Sequence, residues 1–201
     1  MDSSIDYTSP STEFTFDVNN NTLFKKDVFN FLNVLGVQQL NTLNNTSLID
    51  IFLSANNVIE PHYHPNASEL VYCISGAMTA SLLNPFTKQY QTYSITPGQV
   101  VNIPQGWWHY QFATVDQTHV LAIFNAPTPE VILGSDILTL TPSNIMAHTY
   151  SMDKGQWEKA IAPIIPSTYI GPRQNNKTTD ENKPQQYVDD MNHYEGREYI
   201  N

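Results

Sequence analysis

From about residue 36 to residue 124 the chain is a succession of short apolar or alternating runs, each closed by Gly, Pro, Asn or Asp. Residues 37–43 and 48–53 flank Asn44-Asn45-Thr46 and read as a hairpin or a pair of adjacent strands. A histidine-bearing segment follows, then strand-like runs at 69–74, 77–83, 90–95, 100–103, 107–113 and 119–124. Ser75-Gly76, Thr96-Pro97-Gly98 and Pro104-Gln105-Gly106 supply turn chemistry between them. About eight short strands punctuated every eight to twelve residues predict an antiparallel sandwich or barrel, with no long helix in this region.

The flanks follow other patterns. Leu23, Phe24, Val28, Phe31, Leu32 and Leu35 fit helical spacing, so residues 23–35 are expected to form a short helix or an irregular lead-in. After Phe124, the loop Asn125-Ala126-Pro127-Thr128-Pro129 is stiff, and residues 130–140 contain a further extended segment. Thr141-Pro142-Ser143 can start a helix, and 153–161 is a second helical candidate with Trp157 and Ile161 on one face. The expected organisation is a polar N-terminal arm (1–22), one domain (23–170, its motif-bearing core about 35–152) and a polar, flexible C-terminal tail (171–201).

Composition narrows the function classes. A chain of 201 residues can bury a sufficient core without disulfides, and the single Cys73, inside an apolar run, reads as a small buried hydrophobe. A net charge of −10 with no basic cluster argues against nucleic acid and against acidic membranes as partners. No apolar stretch is long enough to span a bilayer, and Met1-Asp2-Ser3-Ser4-Ile5-Asp6 lacks the features of a secretion signal. The expectation is a soluble, cytoplasmic protein.

The chemistry concentrates in Glu60-Pro61-His62-Tyr63-His64-Pro65-Asn66-Ala67-Ser68-Glu69. On a strand, His62 and His64 point to one side. After the turn, the run opened by Glu69 can fold back beside that strand and bring a carboxylate to the same place. Two imidazoles and a carboxylate suit a borderline divalent metal, and a further ligand is expected later in the chain. His109, three residues after Pro104-Gln105-Gly106, is the candidate; His119, His148 and His193 read as surface or hydrogen-bonded histidines.

The full pattern is His62-x-His64-x4-Glu69-x6-Gly76, then Gly98-x5-Pro104-x-Gly106-x2-His109. It resembles the two motifs of the cupin superfamily, and most of all those of its germin and oxalate decarboxylase group. The resemblance implies an all-β antiparallel double-stranded β-helix, a jelly-roll barrel, with a short helical C-terminal extension and polar terminal arms. It also implies that His62, His64, Glu69 and His109 hold one divalent metal per chain, manganese favoured, with iron or another transition metal as alternatives. About two coordination positions would remain open for a small-molecule substrate or ligand. Relatives commonly form dimers or hexamers, so a homo-oligomer is expected.

Departures from the group's pattern limit what can be carried over. The usual glycine six positions before the first histidine is Asn56, which also tolerates a left-handed turn. Three positions before that histidine, oxalate oxidases carry asparagine and oxalate decarboxylases arginine; here the residue is Ile59. A second asparagine of the oxidases corresponds to Ile49. Without these groups a dianion loses charge-assisted hydrogen bonds of about 1.5–3 kcal/mol each, so efficient oxalate turnover is not expected. The expected pocket wall is Ile49, Ile59 and Trp108, and Glu130 is the nearest candidate for the decarboxylases' proton-handling lid glutamate. Three readings stay open: an oxidoreductase, dioxygenase or decarboxylase acting on a small organic molecule; a germin-like superoxide dismutase; and a non-catalytic, metal-stabilised binding or assembly protein.

Overall fold

The computed structural model describes residues 5–172. Two antiparallel sheets face each other. The first runs in the order β1 (Thr22–Lys25), β2 (Phe31–Leu35), β3 (Ser47–Leu53), β10 (Thr118–Phe124), β5 (Glu69–Ser75) and β8 (Val100–Ile103). In the second, β11 (Ile132–Leu133), β4 (Val58–Tyr63), β9 (His109–Ala113), β6 (Met78–Leu83) and β7 (Tyr90–Ile95) are neighbours, and β12 (Ile170–Gly171) also pairs with β4. Non-consecutive neighbours in both sheets are the signature of a jelly roll, the all-β barrel expected from the sequence. Three short helices follow: α1 (Gly134–Leu140), α2 (Ser143–Tyr150) and α3 (Lys154–Ile161).

Period-two alternation builds the interior. Along β5, Glu69, Val71 and Cys73 are buried while Leu70, Tyr72 and Ile74 face out; along β10, Thr118, Val120, Ala122 and Phe124 are the buried set. Met78, Ala80 and Leu82 of β6 close the core from the other sheet. Each large aliphatic side chain removed from water contributes about 1.5–3 kcal/mol. Cys73 belongs to this core, and burial pushes its thiol above the ordinary range. The turn positions behave as their residue types require. Gly76 has φ +74°, and a Cβ there would lie 2.6 Å from the Thr118 backbone; Asn56 adopts φ 63°, the left-handed conformation expected of it.

Two expectations are corrected. Residues 23–35 are not a helix but β1 and β2, joined by a turn in which the Asp27 carboxylate accepts from the backbone of Phe29 and Asn30 at 2.8 and 3.0 Å. That turn leaves Val28 and Phe29 exposed, and in-register pairing of β2 with β3 outweighs a chance helical spacing. Residues 37–43 form turns, not a strand. Gly36 sits so close to Pro127 that a Cβ would lie 2.8 Å from its carbonyl oxygen, and the Gly36 carbonyl accepts from both Gln39 and Leu40. The extended segment expected within 130–140 is the short strand β11, Ile132 and Leu133. Gly134 packs against the Pro61 carbonyl of β4, Ser135 donates its N–H to the Glu60 carboxylate, and the chain turns into α1.

The two later helices start where the sequence places them, and Asp153 caps α3 by accepting from the Gln156 N–H at 2.8 Å. The N-terminal arm docks near its end: Asn21 exchanges hydrogen bonds with Val34, and the Thr42 hydroxyl donates to the Glu13 carbonyl. The expected tail lies outside the described residues apart from its first two. Among the described residues no helix is long and apolar enough to cross a membrane.

Candidate metal centre

His62 lies in β4 and His109 opens β9, and antiparallel register sets the two directly opposite each other. His64 follows the end of β4, its ring at right angles to that of His62 with centroids 5.0 Å apart. Glu69 opens β5, which belongs to the other sheet, between β10 and β8. The carboxylate therefore reaches the histidines across the barrel, not from a strand folded back beside β4 as expected. All four side chains are buried, and one ligand atom of each lies within 4.8 Å of those of the other three.

The backbone fixes the protonation pattern. Nδ1 of His62 is 2.6 Å from the Glu60 carbonyl, Nδ1 of His64 is 2.7 Å from the Glu130 carbonyl, and Nδ1 of His109 is 2.8 Å from the Trp107 carbonyl. A carbonyl only accepts, so each Nδ1 carries a proton and, in the neutral ring, each Nε2 presents a lone pair. Those lone pairs face Glu69: His109 Nε2 is 2.9 Å and His64 Nε2 3.4 Å from Oε2. Neutral nitrogens and an ionised oxygen this close repel each other unless a cation lies among them. Three histidines and one glutamate thus form a group suited to hold a metal ion.

In the metal-free protein electrostatics keep His62 neutral and Glu69 ionised. Burial, then the neighbouring His109 and His64, push His62 well below the ordinary imidazole range, so it stays neutral. For Glu69 burial is the largest single influence and acts upward. Hydrogen bonds and charge from His109 and His64 together outweigh it and hold the carboxyl well below the usual range.

Two supporting residues escaped the sequence reading. Gln111 is two positions after His109 on the same strand face, and its Nε2 donates to Glu69 Oε1 at 2.7 Å; that spacing was the available signal. Glu60 is buried and accepts from Ser135 N, Ser135 Oγ and Tyr169 N at 2.8, 3.0 and 2.8 Å, tying α1 and the approach to β12 onto β4. Nothing in the local sequence announces those partners, which lie 75 and 109 positions away.

A cavity of about 200 Å³ opens on the metal group, lined by Ile49, Ile59, Phe124, Leu133 and Tyr169 among others. Ile49 and Ile59 both line this cavity. Trp108 does not: it lines a separate hollow with Leu83, Gly134 and Ile164, because Trp108 and His109 project to opposite sides of the chain. Glu130 is exposed and absent from the cavity wall, and what it supplies is the carbonyl that orients His64. His119 bonds Asp50, His148 sits in α2, and His193 lies outside the described residues.

Comparison with known proteins agrees with this architecture. The family model described as Cupin matches residues 16–157. Germin-like protein subfamily 2 member 1 of Arabidopsis thaliana is 31% identical over 61% of this chain and 58% of its own length. The putative germin-like protein 2-2 of Oryza sativa subsp. japonica is 32% identical over 61% of this chain and 57% of its own. The aligned part thus falls short of two thirds of these relatives. Among solved structures, Bacillus subtilis oxalate decarboxylase superposes with a TM-score of 0.69 at 18% identity, covering 84% of this chain and 45% of that one. The coconut allergen cocosin gives 0.73 at 16% identity, covering 81% and 45%. With its jelly-roll barrel, its group of three histidines and a glutamate, and its match to the family model over most of its length, the chain belongs to the cupin family and resembles its germin-like and oxalate decarboxylase members.

Proposed function

We propose that this cupin holds one divalent metal, manganese favoured over iron, through Nε2 of His62, His64 and His109 and a carboxylate oxygen of Glu69. In this reading it uses the metal to bind and transform a small organic molecule in an oxidoreductase, dioxygenase or decarboxylase reaction. The observation that carries this is the set of three Nδ1-to-carbonyl hydrogen bonds, which leaves the Nε2 atom of each ring to ligate in a group with one buried carboxylate. The metal would supply Lewis acidity or redox capacity. The protein's part is to fix the ligands, to exclude water with an aliphatic wall, and to keep Glu69 ionised. Ile49 and Ile59 offer a dianion no hydrogen bond, so oxalate is a poor fit.

Elemental analysis of the purified native protein tests the metal. Near-stoichiometric manganese or iron is expected, falling to background in His62→Ala and His109→Ala, and a metal-free native protein overturns the reading. Partners are small molecules and further copies of the chain. Supporting a homo-oligomer, dimer or hexamer, is the outward row Leu70, Tyr72, Ile74 and Val100, at 37, 39, 39 and 52% exposure on adjacent strands β5 and β8. Light scattering on wild type and Tyr72→Glu tests that surface. A monomeric wild type overturns it.

A further inference from the structure

Beside the metal group one buried polar atom has no partner. Gln111 is 1% exposed and lines the cavity, and its Oε1 accepts no hydrogen bond. The orientation of this amide is not free to change. Gln111 gives its NH2 to Oε1 of Glu69 at 2.7 Å, and a carboxylate that serves as a metal ligand only accepts, so the amide oxygen must turn away. An acceptor buried without a partner carries a desolvation cost that a donor of the right shape removes.

The rest of the cavity says what sort of molecule brings that donor. Its walls are mostly apolar, with Leu23, Leu32, Ile49, Ile51, Ile59 and Phe124; Gln38, Gln39 and Thr128 add uncharged polar groups, and among the described residues no lysine or arginine lines it to receive an anion. The Tyr169 phenol, pushed upward first by burial and then by Asp136 and Glu60, stays neutral and adds no charge. A cavity of about 200 Å³ accommodates a molecule of a few to about ten heavy atoms. It is a largely apolar slot in which the Gln111 oxygen is a buried acceptor without a partner beside the metal ligands.

We propose that Gln111 selects the substrate: its Oε1 accepts a hydrogen bond from a hydroxyl or N–H of an uncharged, largely apolar small molecule whose body rests against Ile49 and Ile59. This rests on the metal-dependent reading above, which leaves the substrate class open. Gln111 then has two jobs through one amide. Its nitrogen positions Glu69, and its oxygen rejects molecules that lack a donor, since such a molecule buries the oxygen without a partner.

Ligand-observed NMR titration of zinc-loaded protein, zinc being diamagnetic, tests this with cyclohexanol, chlorocyclohexane and oxalate as probes. Wild type is expected to bind cyclohexanol at least about tenfold more tightly than chlorocyclohexane, which has similar shape and no donor, and more tightly than oxalate. In Gln111→Met, of similar volume and with no such acceptor, the two ring compounds should bind within about twofold of each other. A wild-type ratio near one, as an oxygen satisfied by water would give, overturns the proposal. So does absence of binding by either ring compound, tighter binding of oxalate, or a preference that persists in the variant. The wild-type ratio decides the matter even if the variant does not fold. Zinc content is measured on the same samples. Protein that takes up no metal refutes the metal-dependent reading, whereas metal-loaded protein without the alcohol preference refutes this one alone.

Discussion

His109 Nε2 stands 2.9 Å from Oε2 of Glu69, while its other ring nitrogen is occupied by the Trp107 carbonyl at 2.8 Å. The ring can neither flip nor change tautomer without losing a hydrogen bond inside the barrel, where both side chains are almost wholly buried. A proton can hold this contact in metal-free protein, and a metal ion replaces it when bound. The centre is therefore preorganised by backbone carbonyls before any metal arrives.

Metal should consequently act as a folding ligand. Binding native but not unfolded chain stabilises by about 2.7 kcal/mol when free metal is a hundred times its Kd. Calorimetric melting with added manganese, then with a chelator, should show a reversible shift of several degrees in wild type and none in His109→Ala. Equal shifts in both proteins would refute a role for His109 in holding the metal.

The pH dependence of metal-free protein follows from two groups. His62 is held below its ordinary value of 6.5 in the folded state, so the unfolded chain takes up its proton first as pH falls through that value. Glu69 is held below its ordinary 4.5, so its contribution is present above about that pH and lost below it. Both act in the same direction. The melting temperature should decline from about pH 6.5 downward and more steeply below about 4.5, and His62→Gln should flatten the first limb. A melting temperature that rises as pH falls from 7 to 5 would contradict the assignment.

The legible part of this structure is the part written in local spacing. Period-two runs with turn residues located β3 to β10 of the barrel, and the intervals between His62, His64, Glu69 and His109 identified four side chains that do meet. What misled was pairing at a distance. The segment 23–35 has helical spacing, yet β2 finds its partner in β3, so long-range hydrogen bonding decided a locally ambiguous stretch. Glu69 was placed beside β4 because it is near in sequence, whereas the chain crosses to the other sheet at the turn before it. Gln111 shows the reverse case: its role was one strand repeat from a known ligand, and the alternation already used for His62 and His64 would have found it.

Away from the metal, Asp50 is nearly buried and its Oδ1 lies 2.5 Å from Nε2 of His119, whose ring stacks on Phe52 with centroids 4.1 Å apart. Truncating the histidine leaves a buried carboxylate without its partner and removes the ring contact. His119→Ala should cost about 1–3 kcal/mol of stability, the lower part of the range reflecting the quarter exposure of the imidazole. Urea denaturation would measure it. Metal content should be unchanged, because His119 is on the opposite face of β10 from Phe124, which touches His64.

Glu60 links the centre to the C-terminal elements, and truncating it separates fold from site. Its carboxylate accepts three hydrogen bonds, from Ser135 twice and from Tyr169, while its backbone carbonyl orients His62. Glu60→Ala removes the first set and leaves the second, since the carbonyl is unaffected by the side chain. A buried N–H and hydroxyl of Ser135 and the part-buried N–H of Tyr169 lose their acceptor, at a cost of about 3 kcal/mol. Hydrogen exchange should speed up at the backbone N–H groups of Ser135 and Tyr169 and through α1, while β5 and β10 stay protected. Metal affinity should fall by about tenfold or less, because Tyr169 and Leu133 line the cavity but neither is a ligand. Loss of metal as complete as in His62→Ala would show that the carboxylate, and not only the carbonyl, holds the site together.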